Sequence, residues 1–262
     1  MSSNRDLKRF RVFAGPNGSG KSTIIKKVKE AVVDGYTIDC GIYVNADDIA
    51  VTLANGSFSF SSFDLKFENA TSLRDFAVNS GLLRKEFTLN VFNEAFILEN
   101  NAIVLVDNKF KEIMAQILSN FLIDQLLSKG QKCSMETVFS HESKVELLNL
   151  AASKGYKVYL YFVATEDPEI NKERVRARVK KGGHSVPPDV IENRYYRSLD
   201  LLYNAAQIVY RCYFFDNSGT EVEHKTVTHF KQVEIDKNWD VTDIDTLPDW
   251  FVEYYIKKRQ SR

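Results

Sequence analysis

Residues 15 to 22 read Gly-Pro-Asn-Gly-Ser-Gly-Lys-Ser, which sets glycines, a lysine and a hydroxyl at the Walker A spacing G-x-x-x-x-G-K-[ST]. Each fixed position has a physical task. Glycine turns the backbone through conformations closed to other residues, so successive N–H groups can converge on phosphate oxygens. Lys21 brings a mobile positive charge to the outer phosphates, and Ser22 offers a hydroxyl of the kind that ligates Mg²⁺. An apolar strand-like run, "RFRVFAG", precedes the loop, and "STIIKKVKEAVV" follows it with apolar residues at helical spacing. That helix, expected from about Ser22 to Val33, points its positive end at the same anion. Gly15, Asn17, Gly18, Ser19, Gly20, Lys21, Ser22 and Thr23 are therefore the candidate nucleotide-binding residues.

Three more groups could do chemistry beside a nucleotide. "NADDIA" puts Asp47 and Asp48 after a short strand, where an α/β sheet presents residues to its ligand crevice. A carboxylate there can accept the proton of an attacking hydroxyl, or it can cap the helix that follows. "METVFS" ends the next strand at Glu136 and Thr137. Glu136 could bind substrate hydroxyls or help order Mg²⁺, or it could be a solvated strand-end acid. Residues 173–199, "ERVRARVKKGGHSVPPDVIENRYYRSL", carry Arg174 and Arg178 on one helix face, with Arg194 and Arg197 sharing another. A charge run can be no more than a solvated face. This one ends in Gly182-Gly183, a joint that suits a closing lid carrying cations onto a phosphoryl group. His184 reads either as a phosphate contact or as a packing or capping residue. Asp107, closing "AIVLVDN", reads as a hairpin end in preference to a magnesium aspartate.

Strand and helix signals alternate along the chain, which predicts an α/β fold of the P-loop NTPase type: a kinase-like parallel sheet sandwiched by helices. "KFKEIMAQILSNFLIDQLLSKG" reads as a long amphipathic helix closed by Gly130. One segment breaks the rhythm. Residues 55–111 are rich in Phe, Ser and Asn, and "EAFILENNAIVLVD" sets two apolar runs either side of Asn100-Asn101, a β-hairpin signal. The expected organisation is one discontinuous core, 1–54 with 112–262, and an insert at 55–111 that serves as a substrate or partner element. Phe58, Phe60, Phe63, Phe67 and Phe76 would form either a small insert core or anchors for a protein.

Lys+Arg and Asp+Glu both number 35, so zero net charge gives no electrostatic case for a nucleic-acid or membrane-surface partner. Cys40, Cys133 and Cys212 are odd in number and widely spaced, which suggests reduced thiols in the cytoplasm. The N-terminus lacks a long apolar signal stretch, and no apolar run reaches membrane-spanning length. A GTP switch would need N-K-x-D, and "DNKFKE" lacks its aspartate; the Gly-rich signature of transporter ATPases is absent too. A small-molecule kinase using ATP and Mg²⁺ is the expectation. Its rivals are a kinase of another nucleotide, cofactor or polynucleotide end, and a nucleotide-binding interaction module with slow hydrolysis.

The ordered set "AGPNGSGKST … VNADDIA … ETVFS … KGYKVYLYFV … RVRARVKKGGHSVPPDVIENRYYRSL … FFDNSG" resembles the zeta-toxin-like P-loop kinases over more than half of the chain. The resemblance implies a transferase that passes the ATP γ-phosphate to a small-molecule hydroxyl. In the best-known members this is the 3′-hydroxyl of the sugar in UDP-N-acetylglucosamine. It puts the family's base aspartate on Asp47, its Walker lysine on Lys21 and its substrate-side acid on Glu136, next to Thr137. Lid arginines that clasp the phosphates fall on Arg178 and Arg174, with Arg194 a further candidate. Asn217 of "DNSG" would lie by the adenine. An antitoxin protein is the partner that toxin members imply. The 55–111 insert interrupts the region with which those members bind their sugar nucleotide, and Val138 stands where many relatives have a small or hydroxyl residue.

Overall fold

The structure is a computed structural model that describes residues 8–33, 35–219, 225–233, 236–240 and 246–260. The chain divides into two compact units, Met1–Gly41 with Glu136–Arg262, and Ile42–Met135. The first unit opens with β1 (Arg9–Ala14), α1 (Lys21–Glu30) and a short hairpin of β2 (Val32–Val33) and β3 (Tyr36–Thr37). The second runs through β4 (Ile42–Asn45), α2 (Ala46–Ala54), β5 (Ser57–Ser59), α3 (Thr71–Asn79), α4 (Leu89–Glu94), β6 (Phe96–Glu99), β7 (Ala102–Leu105) and α5 (Lys111–Ser128). β8 (Cys133–Thr137) carries the chain back. The first unit then completes itself with α6 (Ser143–Ser153), β9 (Lys157–Ala164), α7 (Pro168–Lys180), α8 (Pro188–Asp200), α9 (Leu202–Ile208), β10 (Arg211–Asp216), β11 (Lys225–Val233) and β12 (Asp236–Trp239). A helical segment over 249–260 follows.

In the first unit β1, β9 and β10 are parallel, with β11 and β12 added antiparallel at the edge. Alternation decides the two faces. Phe10, Val12, Val158, Leu160, Phe162, Cys212, Phe214 and Phe230 share one face, and each is at most 1% exposed. α6 and α9 pack on β9, while Phe251 and Tyr255 of the last segment pack on Phe214. Each fully buried ring stabilises the fold by about 1.5–3 kcal/mol, so this face is what fixes the sheet that carries the loop. α1 stops at Glu30, short of the expected Val33. The β-branched pair Val32-Val33 instead bonds to Tyr36-Thr37 across a turn at Gly35, whose φ is +80°.

The second unit is built around α5, ten of whose 18 residues are buried. It is a core helix enclosed on most sides, more than the one-sided amphipathic helix its sequence suggests. Phe60, Phe67 and Phe76 all place their rings within 6.2 Å of Phe121, and Phe58 stacks edge-on to Phe60. The insert phenylalanines are thus packed inward as a small core. β6 and β7 form the expected hairpin, and Asn100 and Asn101 take φ of +51° and +61°. Asn101 also ties the loop before α3, donating to Leu65 O at 2.8 Å and accepting from Phe67 N at 2.8 Å. Segment 55–111 lies in this unit together with β4, α2 and α5.

All three cysteines are buried free thiols. Burial pushes the Cys133 thiol up to about 12 and raises Cys40 and Cys212 as well. Among the described residues no helix is long and apolar enough to cross a membrane.

Candidate active site

The loop leaves β1 at Gly15 and enters α1 at Gly20, in the first unit. Close approach explains its glycines. Gly15 has a φ of +143°, and an added Cβ would lie 2.0 Å from the Val163 carbonyl oxygen of β9. Gly18 has a φ of +75°, and its Cβ would lie 2.6 Å from the Asn171 carbonyl oxygen of α7. Gly20, φ +93°, precedes α1 in the left-handed region, and no side chain caps that helix. Its first N–H groups therefore remain directed at whatever sits in the loop.

The loop carbonyls are pinned from outside. Asn171 Nδ2 donates to Asn17 O at 2.6 Å, and Asn217 Nδ2 donates to Ser19 O at 2.8 Å. Lys21 Nζ donates to Gly15 O at 3.0 Å and to Pro16 O at 2.9 Å, while Arg194 Nη1 reaches Asn17 Oδ1 at 3.3 Å. These bonds hold the loop's backbone in one shape, with the Ser19 amide itself bonded to Pro16 O at 3.3 Å. The Ser19 side chain is fully buried, and its Oγ makes no hydrogen bond among the described residues. Ser22 is exposed at the start of α1, followed by Thr23, whose N–H bonds Gly20 O at 3.1 Å. This cradle, crowded by carbonyls behind and lined by amides, an ammonium and hydroxyls, fits a polyphosphate. No group of three or more His, Cys, Asp or Glu that could hold a metal occurs among the described residues. A cation at this loop would take its oxygens from phosphates, water and Ser22.

α7 and α8 stand beside the loop. Asp167 caps α7, accepting from Glu169 N at 2.7 Å, and Pro168 takes the first helical position. Asn171, fully buried, faces the loop, and Thr165 Oγ1 bonds its Oδ1. Three to seven residues on, the same helix carries the arginines. Arg174 donates to the carbonyls of Asn217 at 2.7 Å and Gly219 at 2.9 Å, so it holds the "DNSG" turn. Arg178 donates to His184 O at 2.8 Å. Arg174, Ala177, Arg178, Lys181 and Gly183 line an open cavity of about 370 Å³. Gly182 and Gly183 cap α7, bonding back to Val179 O and Arg178 O. Lys172 Nζ binds Glu169 at 2.5 Å and Glu192 of α8 at 2.6 Å, which raises its pKa and ties the two helices. Val175, Val186 and Ile191 form a small core between them.

Asp47 belongs to the other unit. It is the second residue of α2, where Asn45 is the N-cap and accepts from Asp47 N at 3.0 Å. The cap duty falls to Asn45, so the exposed Asp47 carboxylate is not consumed by it. Glu136 and Thr137 end β8 half-exposed, and Thr137 Oγ1 accepts from Phe139 N at 3.2 Å. Phe139 holds a φ of +61° with its ring 1% exposed, an unusual backbone state for an aromatic residue. Asp107 caps the turn Asn108–Phe110 and pairs with Lys109 at 2.8 Å; that lysine lowers its pKa. The structure thus joins the loop, Arg174, Arg194 and Asn217 by hydrogen bonds. It adds Asn171 and Thr165, which the motif reading passed over. Asn171 had one signal: it lies on the inward stripe Pro168, Asn171, Val175 of α7, where a polar residue needs a partner.

The sequence profile of the zeta toxin family matches residues 88–227, a stretch that begins after the loop and Asp47. An uncharacterized protein of Haemophilus influenzae is 36% identical over 61 residues, 23% of this chain and 44% of that protein. The match therefore spans less than half of that relative. A chain of the AvrRxo1-ORF1:AvrRxo1-ORF2 complex with sulphate ions aligns at a TM-score of 0.51 and 14% identity, over 87% of this chain and 61% of that one. A likeness at that identity is one of fold. A structure from the PezAT chromosomal toxin-antitoxin system of Streptococcus pneumoniae aligns at a TM-score of 0.45 and 15% identity, over 83% and 70% of the two chains.

Proposed function

The chain belongs to the zeta toxin family, and on that premise we propose that it is an ATP-dependent kinase acting on a small-molecule hydroxyl. A sugar hydroxyl of a nucleotide sugar such as UDP-N-acetylglucosamine is the acceptor in this reading. The observation that carries it is the Gly15–Ser22 loop, whose glycines sit at positive φ in close contact with β9 and α7 and whose carbonyls are held by Asn171, Asn217 and Lys21.

In this mechanism the loop amides and Lys21 hold the β- and γ-phosphates, Lys21 exchanging its loop carbonyls for phosphate oxygens. Ser22 would hold Mg²⁺ through its hydroxyl, and the ion would supply charge that neutralises the phosphates. Glu136 and Thr137 bind the acceptor. Asp47 orients the acceptor hydroxyl and takes its proton as the oxygen–phosphorus bond forms and the bond to the β-phosphate oxygen breaks. Arg178 neutralises charge developing on the transferred group. Arg174 and Asn217 act one step back, the first holding the 216–219 turn and the second holding the loop. Family membership also leads us to count an antitoxin protein among the partners.

The test offers the protein γ-labelled ATP, Mg²⁺ and UDP-N-acetylglucosamine or a metabolite extract. A labelled small molecule is expected. Free phosphate as the sole product, with every acceptor tried, would overturn the kinase reading.

A further inference from the structure

The turn over 216–219, which lays Asn217 on the loop, is itself held from the far end of the chain. Asp216 ends β10, and its carboxylate builds the turn: Oδ1 accepts from Ser218 Oγ at 2.7 Å and Oδ2 from Ser218 N at 3.2 Å. Asn217 N donates to Ala164 O at 2.8 Å, and Ser218 Oγ accepts from Glu166 N at 2.8 Å, which fastens the turn to the end of β9. Arg174 takes the carbonyls of Asn217 and Gly219. The Asn217 side chain, 8% exposed, goes to Ser19 O of the loop.

Trp250 meets both carboxylates of this corner. Its Nε1 donates to Asp216 Oδ1 at 3.0 Å, the same oxygen that the Ser218 hydroxyl uses. Glu166 accepts from the backbone N–H groups of Asp249, at 3.1 Å, and of Trp250. The indole is 3% exposed, with the rings of Phe162 and Phe251 centred 6.2 and 5.8 Å away. A phenylalanine would satisfy that packing; the indole N–H, a donor only, is what reaches Asp216. Hydrogen bonds to an ionised group are roughly twice as strong as neutral ones. Further along the same segment, Lys258 Nζ reaches Asp200 Oδ1 at 3.1 Å at the end of α8, so the segment is tied at both ends.

We propose that Trp250 is a positioning residue for nucleotide binding: its hold on Asp216 keeps the 216–219 turn in the shape that lays Asn217 on the Ser19 carbonyl. The path is short. It runs from Trp250 Nε1 to the Asp216 carboxylate, to Asn217 as the next residue, and from its amide to the loop. With the indole gone the carboxylate is free to rotate, and the two bonds that shape the turn go with it. The inference rests on the reading of the Gly15–Ser22 loop as a nucleotide site, and it adds the 249–260 segment to that site's support. Coupling between two sites is reciprocal, so a bound nucleotide acts on the indole in its turn.

Trp239 and Trp250 are the two tryptophans of the chain, which gives the test two arms. Trp239 stands on β12 against Phe214 and Phe230. Trp239→Phe is expected to bind ATP as wild type does, by calorimetry, and the emission of its remaining indole is expected to change saturably with ATP. Trp250→Phe keeps a ring and drops the donor, and its ATP affinity is expected to fall about fivefold or more. In an Asn217→Ala background the same change is expected to cost less than about twofold, because a residue that acts through Asn217 has nothing left to position. A purely structural role would instead give additive losses. Wild type that binds no ATP would overturn the nucleotide reading and this inference with it. With wild type binding, an indole silent to saturating ATP, a Trp250→Phe affinity within about twofold of wild type, or an undiminished loss in the Asn217→Ala background would each overturn the inference alone. The emission arm leaves Trp250 in place, so it decides whether or not Trp250→Phe folds.

Discussion

At Gly18 a single methyl group would meet the Asn171 carbonyl at 2.6 Å, in a backbone state with φ +75° that L residues rarely adopt. Gly18→Ala should therefore cost about 1–3 kcal/mol in strain, lowering Tm and weakening ATP binding more than tenfold by calorimetry. Near-native affinity would mean that the loop is not held as described. Asn171→Ala removes the donor to Asn17 O and leaves that partly buried carbonyl without it, a loss of about 1 kcal/mol. We expect ATP affinity to fall about tenfold, with Asn171→Asp failing to restore it because a carboxylate cannot donate. The glycines and Lys21 of this network were legible in the sequence because the Walker spacing is itself a statement about backbone geometry. Asn171 and Asn217 were not legible as loop holders, since which carbonyl a distant amide reaches depends on packing that no local pattern encodes.

At the scale of elements, α7 and α8 act as one piece through Lys172 and the Val175, Val186, Ile191 core. Lys172→Met leaves Glu169 and Glu192 without their shared cation. Hydrogen exchange over 182–200 should speed several-fold, while ATP affinity stays within about threefold, because ion pairs that reach the surface contribute little. Unchanged exchange would assign the tie to the apolar core alone. The apolar strand before the loop, β1, and the start of the helix after it, α1, were readable from sequence. The end of α1 was not, because Val32-Val33 fits either a last helical turn or a strand, and a partner strand only four residues on decides between them. The same holds for α5: ten buried positions out of 18 are possible only because the Phe-rich segment wraps it, which is tertiary information. Asn100-Asn101, by contrast, declared its hairpin locally.

Across the whole molecule, protons held by burial link stability to alkaline pH. Burial pushes the Cys133 thiol up to about 12 from an ordinary 9.0, and it raises the Tyr161, Tyr195 and Tyr255 hydroxyls as well. The folded state keeps protons that the unfolded chain gives up, so this contribution is complete below about pH 9 and is lost as pH rises from there towards 12. Tm should be flat from pH 7 to 8.5 and fall steeply beyond pH 9.5. A flat profile to pH 11 would mean that these groups are solvated. The same burial predicts that Ellman's reagent detects thiols only after denaturation. The proposed phosphoryl transfer is tested by comparing wild type with Asp47→Ala in γ-labelled ATP with Mg²⁺ and UDP-N-acetylglucosamine. Wild type should yield a labelled nucleotide sugar, and Asp47→Ala about 10²–10⁴-fold less at unchanged ATP affinity. Transfer by the variant at near wild-type rate would contradict it.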